Sequence, residues 1–329
     1  MSPISSQTSS NVPHPGAADP GGGLDLIGDI HGQAEMLDRL LDRLGYERVD
    51  GVPRHPDRTA VFLGDYIDRG PEILRTLQTV RRMVDRGDAL ALMGNHEYNA
   101  IAWFTPRPDR PEVPCRRHTT PRRRLIEPTL RSIGDELEDW LEWMGSLPLW
   151  LEGERVRAAH AGWNAASVRR LGELLGPSGG LLAGSAMQAT CEPGTPLFRA
   201  IEQILKGEEI ALPETLVLED AEGSPRRHIR ARWFESPEGR TFRDYAMTVD
   251  DRFPDEPIPP SAIPEDFSIY GPDERPLFVG HYWMQGEQPR RLTPNVACLD
   301  WSAARGGPLV AYRFDGESEI DEAKFVAVR

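Results

Sequence analysis

The chain has 329 residues, 39% of them hydrophobic, so it is too long for one small domain, too short for three, and able to bury a full core. Its 52 acidic residues outnumber the 38 basic ones, and the net charge of −14 argues against broad nucleic-acid binding, which requires cations that neutralise phosphates. The sequence has no run of about 18 apolar residues, so we expect neither a transmembrane helix nor a membrane partner.

The two ends of the chain differ in composition. Residues 1–23 are rich in Ser, Pro and Gly without an apolar stretch, so we expect a disordered tail and not a signal peptide. The remaining residues, 24–329, are expected to form the main domain. Cys115, Cys191 and Cys298 are far apart and form no Cys-x-x-Cys pattern, which predicts a reducing, cytoplasmic setting.

Strands and helices alternate in the first part of the chain. An apolar run at 24–27 predicts a buried strand, and helical periodicity then runs over 33–44 and ends at Gly45. Residues 46–58 are polar and predict a loop, after which a second strand is predicted at 59–63.

The alternation continues after Pro71, which begins a second amphipathic helix that is followed by a strand at 89–93. This order predicts parallel strands with right-handed crossovers, and therefore an α/β fold. One long helix is predicted over 125–146, and further strands are predicted at 156–159 and 277–279.

Five of the predicted strands end in a polar turn. A single Gly-Asp at such a place is usually a helix cap, but the recurrence at five strand ends favours a common site at that edge of the sheet. Asp, His and Asn are ligands for divalent metals of intermediate hardness, and glycine allows a close backbone approach. The turns are Gly28-Asp29-Ile30-His31-Gly32, Gly64-Asp65-Tyr66-Ile67-Asp68-Arg69-Gly70, Gly94-Asn95-His96-Glu97, His160-Ala161-Gly162 and Gly280-His281.

These turns supply enough ligands for two metal ions. Asp29 and His31 can chelate one ion, and Asp65 can bridge two because a carboxylate has two oxygens. The mixed nitrogen and oxygen donors favour manganese, with iron or zinc as alternatives, over calcium. In a two-metal site a bridging water becomes a hydroxide that can attack phosphorus. The candidate ligands are Asp29, His31, Asp65, Asn95, His160 and His281.

Three further side chains complete the predicted chemistry. His96 follows a candidate ligand and can protonate a leaving oxygen near neutral pH. Asp68 can orient its imidazole, and the planar fork of Arg69 can hold phosphate oxygens in two places. Together these residues predict a phosphoester hydrolase.

The motif series, in this order over residues 25–281, resembles the calcineurin-like metallophosphoesterases. It is most similar to their phosphoprotein phosphatase branch, which includes bacterial serine/threonine phosphatases and symmetrical diadenosine tetraphosphatases. The resemblance implies a β-sandwich flanked by helices, an α/β (α+β) fold in which the strand-helix units form part of each sheet. It also implies that one metal binds to Asp29, His31 and Asp65, and a second to Asp65, Asn95, His160 and His281. His96 would be the general acid, paired with Asp68, and Arg69 would bind phosphate.

Two segments stay open to more than one interpretation. Residues 104–124 contain five prolines and a basic cluster, which is either a solvated loop or an electropositive rim that attracts an anionic substrate. Residues 164–276 are expected to form an insertion or cap over the metal face, and Arg230 and Arg232 there are candidates for a second substrate-binding arginine. The basic cluster comprises Arg116, Arg117, Arg122, Arg123 and Arg124.

Three functions fit the sequence. A phosphomonoesterase that acts on a phosphoprotein or a small phosphorylated metabolite is preferred, and a dinucleoside tetraphosphate hydrolase is the alternative. A non-catalytic scaffold is disfavoured, because the ligand set is intact and both His96 and Arg69 are present.

Overall fold

The computed structural model describes residues 22–176, 179, 182–219, 225–248 and 250–329. The predicted N-terminal tail lies outside these residues up to position 21, and Gly23 already belongs to the first strand. The strands are β1 (Gly23–Ile27), β2 (Glu47–Val49), β3 (Val52–Arg54), β4 (Arg58–Phe62), β5 (Ala89–Ala91), β6 (Trp150–Glu152), β7 (Arg157–Ala159), β8 (Glu209–Ala211), β9 (Leu218–Glu219), β10 (Pro225–Arg226), β11 (His228–Arg230), β12 (Leu277–Val279), β13 (Val296–Cys298), β14 (Leu309–Phe314) and β15 (Phe325–Val328).

Helices of one to four turns connect these strands. None of the helices in the described residues is both long enough and apolar enough to cross a bilayer. The α-helices are α1 (Ala34–Leu44), α2 (Ile73–Asp85), α3 (Asn95–Phe104), α4 (Thr120–Ile133), α5 (Leu137–Ser146), α6 (Ala165–Leu175), α7 (Gly184–Thr190), α8 (Pro196–Lys206) and α9 (Phe242–Tyr245), and 3₁₀ turns lie at Gly134–Glu136, Pro260–Ala262, Ala303–Arg305 and Glu322–Lys324.

Two sheets share one apolar layer. The first has the order β15-β14-β1-β4-β5, in which β1, β4 and β5 are parallel and β14 pairs antiparallel with both β1 and β15. The second has the order β13-β12-β7-β6, with only β6 antiparallel. Leu24 and Leu26 of β1 pack in the same cluster as Phe278 of β12, whereas Ile27 packs on the helical side, as the two-residue period of a strand requires. The mixed α/β sandwich flanked by helices is therefore confirmed.

The first helix follows the sequence pattern closely. Its buried residues include Leu37, Leu40, Leu41 and Leu44, which lie on one face at helical spacing. Gly45 ends the helix with φ 89°, a left-handed conformation that glycine adopts without a steric penalty.

Two local predictions were wrong. The predicted loop at 46–58 contains a hairpin of β2 and β3, joined by Asp50 and Gly51 with φ 51° and 79°. An Asp-Gly pair with two positive φ angles is typical of a tight hairpin turn, and it outweighs the polarity of the segment. The single helix predicted over 125–146 is two helices, because Gly134 at φ 59° interrupts the backbone between α4 and α5.

The expected cap at 164–276 contributes a small core of its own. In it, α6 packs against α8, and a separate apolar cluster forms around Ile210, Ile229 and Phe242. The limits of the main domain and of the cap stay predictions. Lys206 and Arg230 from this segment line the cavity described below, which is where a cap would contribute residues.

Candidate active site

The carboxyl ends of parallel strands from both sheets carry the polar turns. In α/β folds ligands bind at such strand ends, because the loops there converge. The turns after β1, β4 and β5 come from the first sheet, and those after β7 and β12 come from the second. The six candidate ligands among them are all buried: Asp29, His31, Asp65, Asn95, His160 and His281.

The backbone of these turns is held in an unusual conformation. A non-glycine residue in the left-handed region carries a penalty of about 1–3 kcal/mol, which the surrounding structure must offset. Eight described non-glycine residues have positive φ, and six of them belong to the site: His31 (48°), Asp65 (57°), Asp68 (64°), Arg69 (67°), His281 (74°) and Trp283 (55°).

Asp65 lies at the centre of the site. Its Oδ2 is 3.5 Å from His31 Nε2, and its Oδ1 is 3.5 Å from His160 Nε2. Potential ligand atoms within 4.8 Å of one another form two buried groups, which we call the first and second clusters. The first cluster is His31, Asp65 and His96, and the second is Asp65, His160 and His281. Asp65 belongs to both, as a bridging ligand must.

Hydrogen bonds orient two histidines for ligation. The Nδ1–H of His31 donates to the carbonyl of Ile67 at 2.9 Å, and that of His160 donates to the carbonyl of Leu63 at 2.8 Å. Each bond fixes the tautomer and leaves the Nε2 lone pair directed into the site. The Nε2 atoms of His31 and His281 are buried without a hydrogen-bond partner among the described residues, as expected of atoms that ligate metal. The residues present therefore fit two divalent ions.

Asn95 and Asp29 adjoin the second cluster. Asn95 Oδ1 lies 3.1 Å from His160 Nε2. The carboxylate of Asp29 accepts the backbone N–H of His281 at 3.0 Å, but Asp29 belongs to neither cluster. Its approach requires a glycine at position 280, because a Cβ there would lie 2.0 Å from Asp29 Oδ1.

His96 is held by a relay of two residues. Its Nδ1–H donates to Asp68 Oδ2 at 2.6 Å, while the Thr129 hydroxyl donates to Asp68 Oδ1 at 2.5 Å. His96 Nε2 remains directed toward the site, 3.8 Å from Asp65 Oδ2. Thr129 could not be predicted from the sequence, because it lies in α4, 61 residues beyond Asp68, and belongs to no motif.

The electrostatic balance of the site suits cations. Burial opposes ionisation of Asp65, yet the charges of His160, His96 and His31 hold its pKa below the usual range. Burial and the charge of His96 lower the pKa of His31 to about 4. Burial and Arg230 lower the pKa of His281 well below its usual range. An ionised carboxylate between neutral imidazoles is the state that binds metal. For His96 burial is outweighed by Asp65 and Asp68, and its pKa rises.

Glu97 holds two of the turns together. Its buried carboxylate accepts the backbone N–H of Gly94 at 3.0 Å, of Asp65 at 2.9 Å and of Tyr66 at 2.9 Å. The only local signal for this role is the position of Glu97 three residues after a helix cap, which is typical of a capping box.

We expect Glu97→Gln to lower the free energy of unfolding by about 2–3 kcal/mol, because the amide leaves buried N–H groups without a charged acceptor. Denaturant unfolding measures this change. Glu142→Gln, on the exposed face of α5, is the matched control and should unfold like the parent. Equal unfolding free energies for the two variants would show that Glu97 does not fix these turns.

A cavity of about 370 Å³ opens beside both clusters, lined in part by Asp65, Asn95, His96 and His281. Its wall is strongly cationic and includes Arg230. Arg232 does not line it, and instead forms an ion pair with Glu235 at 2.8 Å. The cationic side chains of the wall are Arg69, Arg116, Arg122, Lys206 and Arg230.

An indole ring holds the guanidinium of Arg69. Arg69 Cζ lies 4.5 Å from the ring centroid of Trp283, and Arg305 Cζ lies 3.9 Å from the same centroid. Such cation–π contacts orient a guanidinium without neutralising it. Trp283 therefore positions Arg69 in the wall of the cavity, where a phosphate would bind.

Comparison with known proteins gives a consistent result. The sequence model of the calcineurin-like phosphoesterases matches residues 24–175. The chain is 46% identical over 74 residues to a bis(5'-nucleosyl)-tetraphosphatase PrpE [asymmetrical] of Geobacillus sp. (strain WCH70), which is 22% of this chain and 30% of that protein. It is 45% identical over 73 residues to the protein of the same name from Halalkalibacterium halodurans, again 22% and 30%. The matches thus span under a third of these relatives.

Among solved structures, the chain is similar to a protein serine/threonine phosphatase from Saccharomyces cerevisiae. The alignment covers 94% of this chain and 80% of the yeast chain, with 14% sequence identity and a TM-score of 0.47.

Proposed function

Residues 24–175 belong to the calcineurin-like phosphoesterase family, and from this premise we propose that the protein is a metal-dependent hydrolase of dinucleoside tetraphosphates or related polyphosphate esters. The match over residues 24–175 and the two clusters support the general class, a metal-dependent phosphoesterase. The similarity to tetraphosphatases supports this alternative better than the phosphomonoesterase that the sequence alone favoured.

The observation that carries the proposal is the charge of the cavity wall. Five cationic side chains surround one cavity beside the two clusters. A single phosphoryl group is matched by the metals and by the two arginines nearest the clusters, Arg69 and Arg230. The remaining arginines, Arg116 and Arg122, would then be available to further phosphates of the same substrate.

We propose that two divalent ions are held by Asp29, His31, Asp65, Asn95, His160 and His281, and that manganese is preferred for this donor set. When bound, such ions activate water and neutralise phosphoryl charge. His96 holds a proton at Nε2 that it can give to the leaving oxygen, and Asp68 keeps that imidazole oriented.

A comparison of three substrates tests the proposal. With manganese supplied, we expect kcat/KM for a dinucleoside tetraphosphate to exceed that for a phosphoserine peptide by about 10²-fold or more. The reason is that a site that binds several groups of one substrate discriminates against a substrate that lacks those groups. An aryl phosphate serves as the reference for basal activity. Higher kcat/KM on the phosphopeptide would overturn the proposal in favour of the phosphomonoesterase.

A further inference from the structure

The structure divides the basic cluster of residues 116–124 into two groups. Arg116 and Arg122 line the cavity, whereas Arg117, Arg123 and Arg124 do not. The sequence could not make this distinction, because all five lie in one polar segment. Only the first group can meet a substrate that is bound in the cavity.

Arg116 is fixed relative to the candidate metal ligands. Its Nη1 donates to Asn99 Oδ1 at 2.5 Å, and Asn99 lies one turn of α3 after Asn95. The helix that presents Asn95 and His96 to the clusters therefore also holds this guanidinium. Since the partner is a neutral amide, the positive charge of Arg116 is oriented but not balanced.

Arg116 lies in a region of positive charge that the carboxylates of Glu202 and Asp68 offset only in part. Burial and the charge of Arg122 lower the pKa of Arg116 to about 10. In the part of the chain that the structure describes, neither arginine forms an ion pair with a carboxylate, whereas Lys206 in the same wall pairs with Glu202 at 2.5 Å. An anion bound between the two guanidiniums would relieve their mutual repulsion.

The first turn of α4 adds to this positive field. The helix begins at Thr120 and carries Arg122 near its N-terminus, with no acidic residue in the first turn. Exposed N–H groups at a helix N-terminus already favour an anion, and acidic side chains usually occupy this place. Pro121 and Arg122 line the cavity, so this end of the helix faces the same space as Arg116.

The other two arginines of the wall act on histidines of the clusters. The charge of Arg69 acts on His31 and His96, and that of Arg230 acts on His281. These two are therefore placed for the phosphoryl group that is attacked. Arg116 and Arg122 would meet a different part of the substrate.

We propose that Arg116 and Arg122, with Asn99 orienting the former, form an outer phosphate subsite that binds the part of a polyphosphate chain that is not attacked. The proposal rests on the proposed function and specifies its substrate class: compounds with at least two linked phosphates. A monoester reaches the clusters but leaves this subsite empty.

Binding of inorganic tripolyphosphate to the metal-free full-length protein tests the subsite without turnover. We expect Arg116→Gln and Arg122→Gln each to raise the Kd about 10-fold, as expected when one charge-assisted hydrogen bond is lost. Arg124→Gln is the matched control, because it removes the same charge from the same segment outside the cavity. Titration calorimetry measures all three. An unchanged Kd in both Arg116→Gln and Arg122→Gln would overturn the proposal.

Kinetics distinguish the subsite from the proposed function. In Arg122→Gln, the loss of kcat/KM should be about 10-fold larger for a dinucleoside tetraphosphate than for an aryl phosphate, and it should appear in KM. Equal losses on both substrates would contradict the subsite while the activity stands. If the tetraphosphate is not hydrolysed but both variants still bind tripolyphosphate more weakly, the proposed function fails and the subsite stands. Arg122 is exposed, so its replacement leaves folding intact.

Discussion

Asp65→Asn should release metal from both clusters and lower kcat by about 10³-fold or more, because metal ions supply several kcal/mol of transition-state stabilisation. The reason is geometric. Asp65 is the residue that both clusters share, with each carboxylate oxygen 3.5 Å from a different histidine. An amide offers one neutral oxygen and cannot bridge two cations.

Metal analysis of the purified variant and its turnover measure this prediction. Wild-type protein should hold close to two ions per chain. Asp57→Asn, an exposed carboxylate that lines another cavity, is the matched control and should keep both metal and activity. Retention of two ions and full turnover in Asp65→Asn would exclude Asp65 as the bridge.

His96→Asn should leave metal content nearly intact and lower kcat on phosphoserine by about 10²-fold or more. A general acid matters most for a poor leaving group, because an alkoxide needs its proton in the transition state. The loss should be much smaller on an activated aryl ester. It should also be smaller on a dinucleoside tetraphosphate, because the leaving phosphate has a pKa of about 6 and can leave without a proton.

Two companion variants separate orientation from binding. Asp68→Asn should reproduce the leaving-group dependence in weaker form, since its carboxylate orients the imidazole from 2.6 Å. Arg69→Ala should lower turnover of all esters alike, because the phosphoryl group is common to them. His55→Asn, a histidine away from the clusters, is the control. Loss of metal from His96→Asn would instead show that His96 is a metal ligand, a role that its position in the first cluster also allows.

The candidate ligands could be predicted because each stands where a buried strand ends, and strand ends meet in space. Periodicity locates β1 and β4, and the polar residues that follow them are then near neighbours. The same argument fails for Arg230 and Arg232, which were predicted as alternatives for one role. Residues two apart share a face only while a strand continues, and β11 ends at Arg230, so Arg232 turns toward Glu235.

Other parts of the site depend on contacts between distant segments. Thr129 reaches Asp68 from α4, and Arg116 bonds to Asn99 across 17 positions. Neither pair has a local sequence signal, because Asp68 lies in the turn after β4 and Arg116 lies in the segment between α3 and α4. The break at Gly134 was equally hidden, since apolar residues keep a helical period on both sides of it.

The left-handed residues of the site have a consequence for protein engineering. Asp68 and Arg69 adopt φ 64° and 67°, a backbone conformation whose energy would be lower for glycine by roughly 1 kcal/mol. Asp68→Gly would thus relieve backbone strain, but it would leave the buried Nδ1–H of His96 and the hydroxyl of Thr129 without their acceptor. The strained backbone is therefore retained together with the hydrogen bonds of the side chain, and a screen for heat resistance on this scaffold must select for turnover as well.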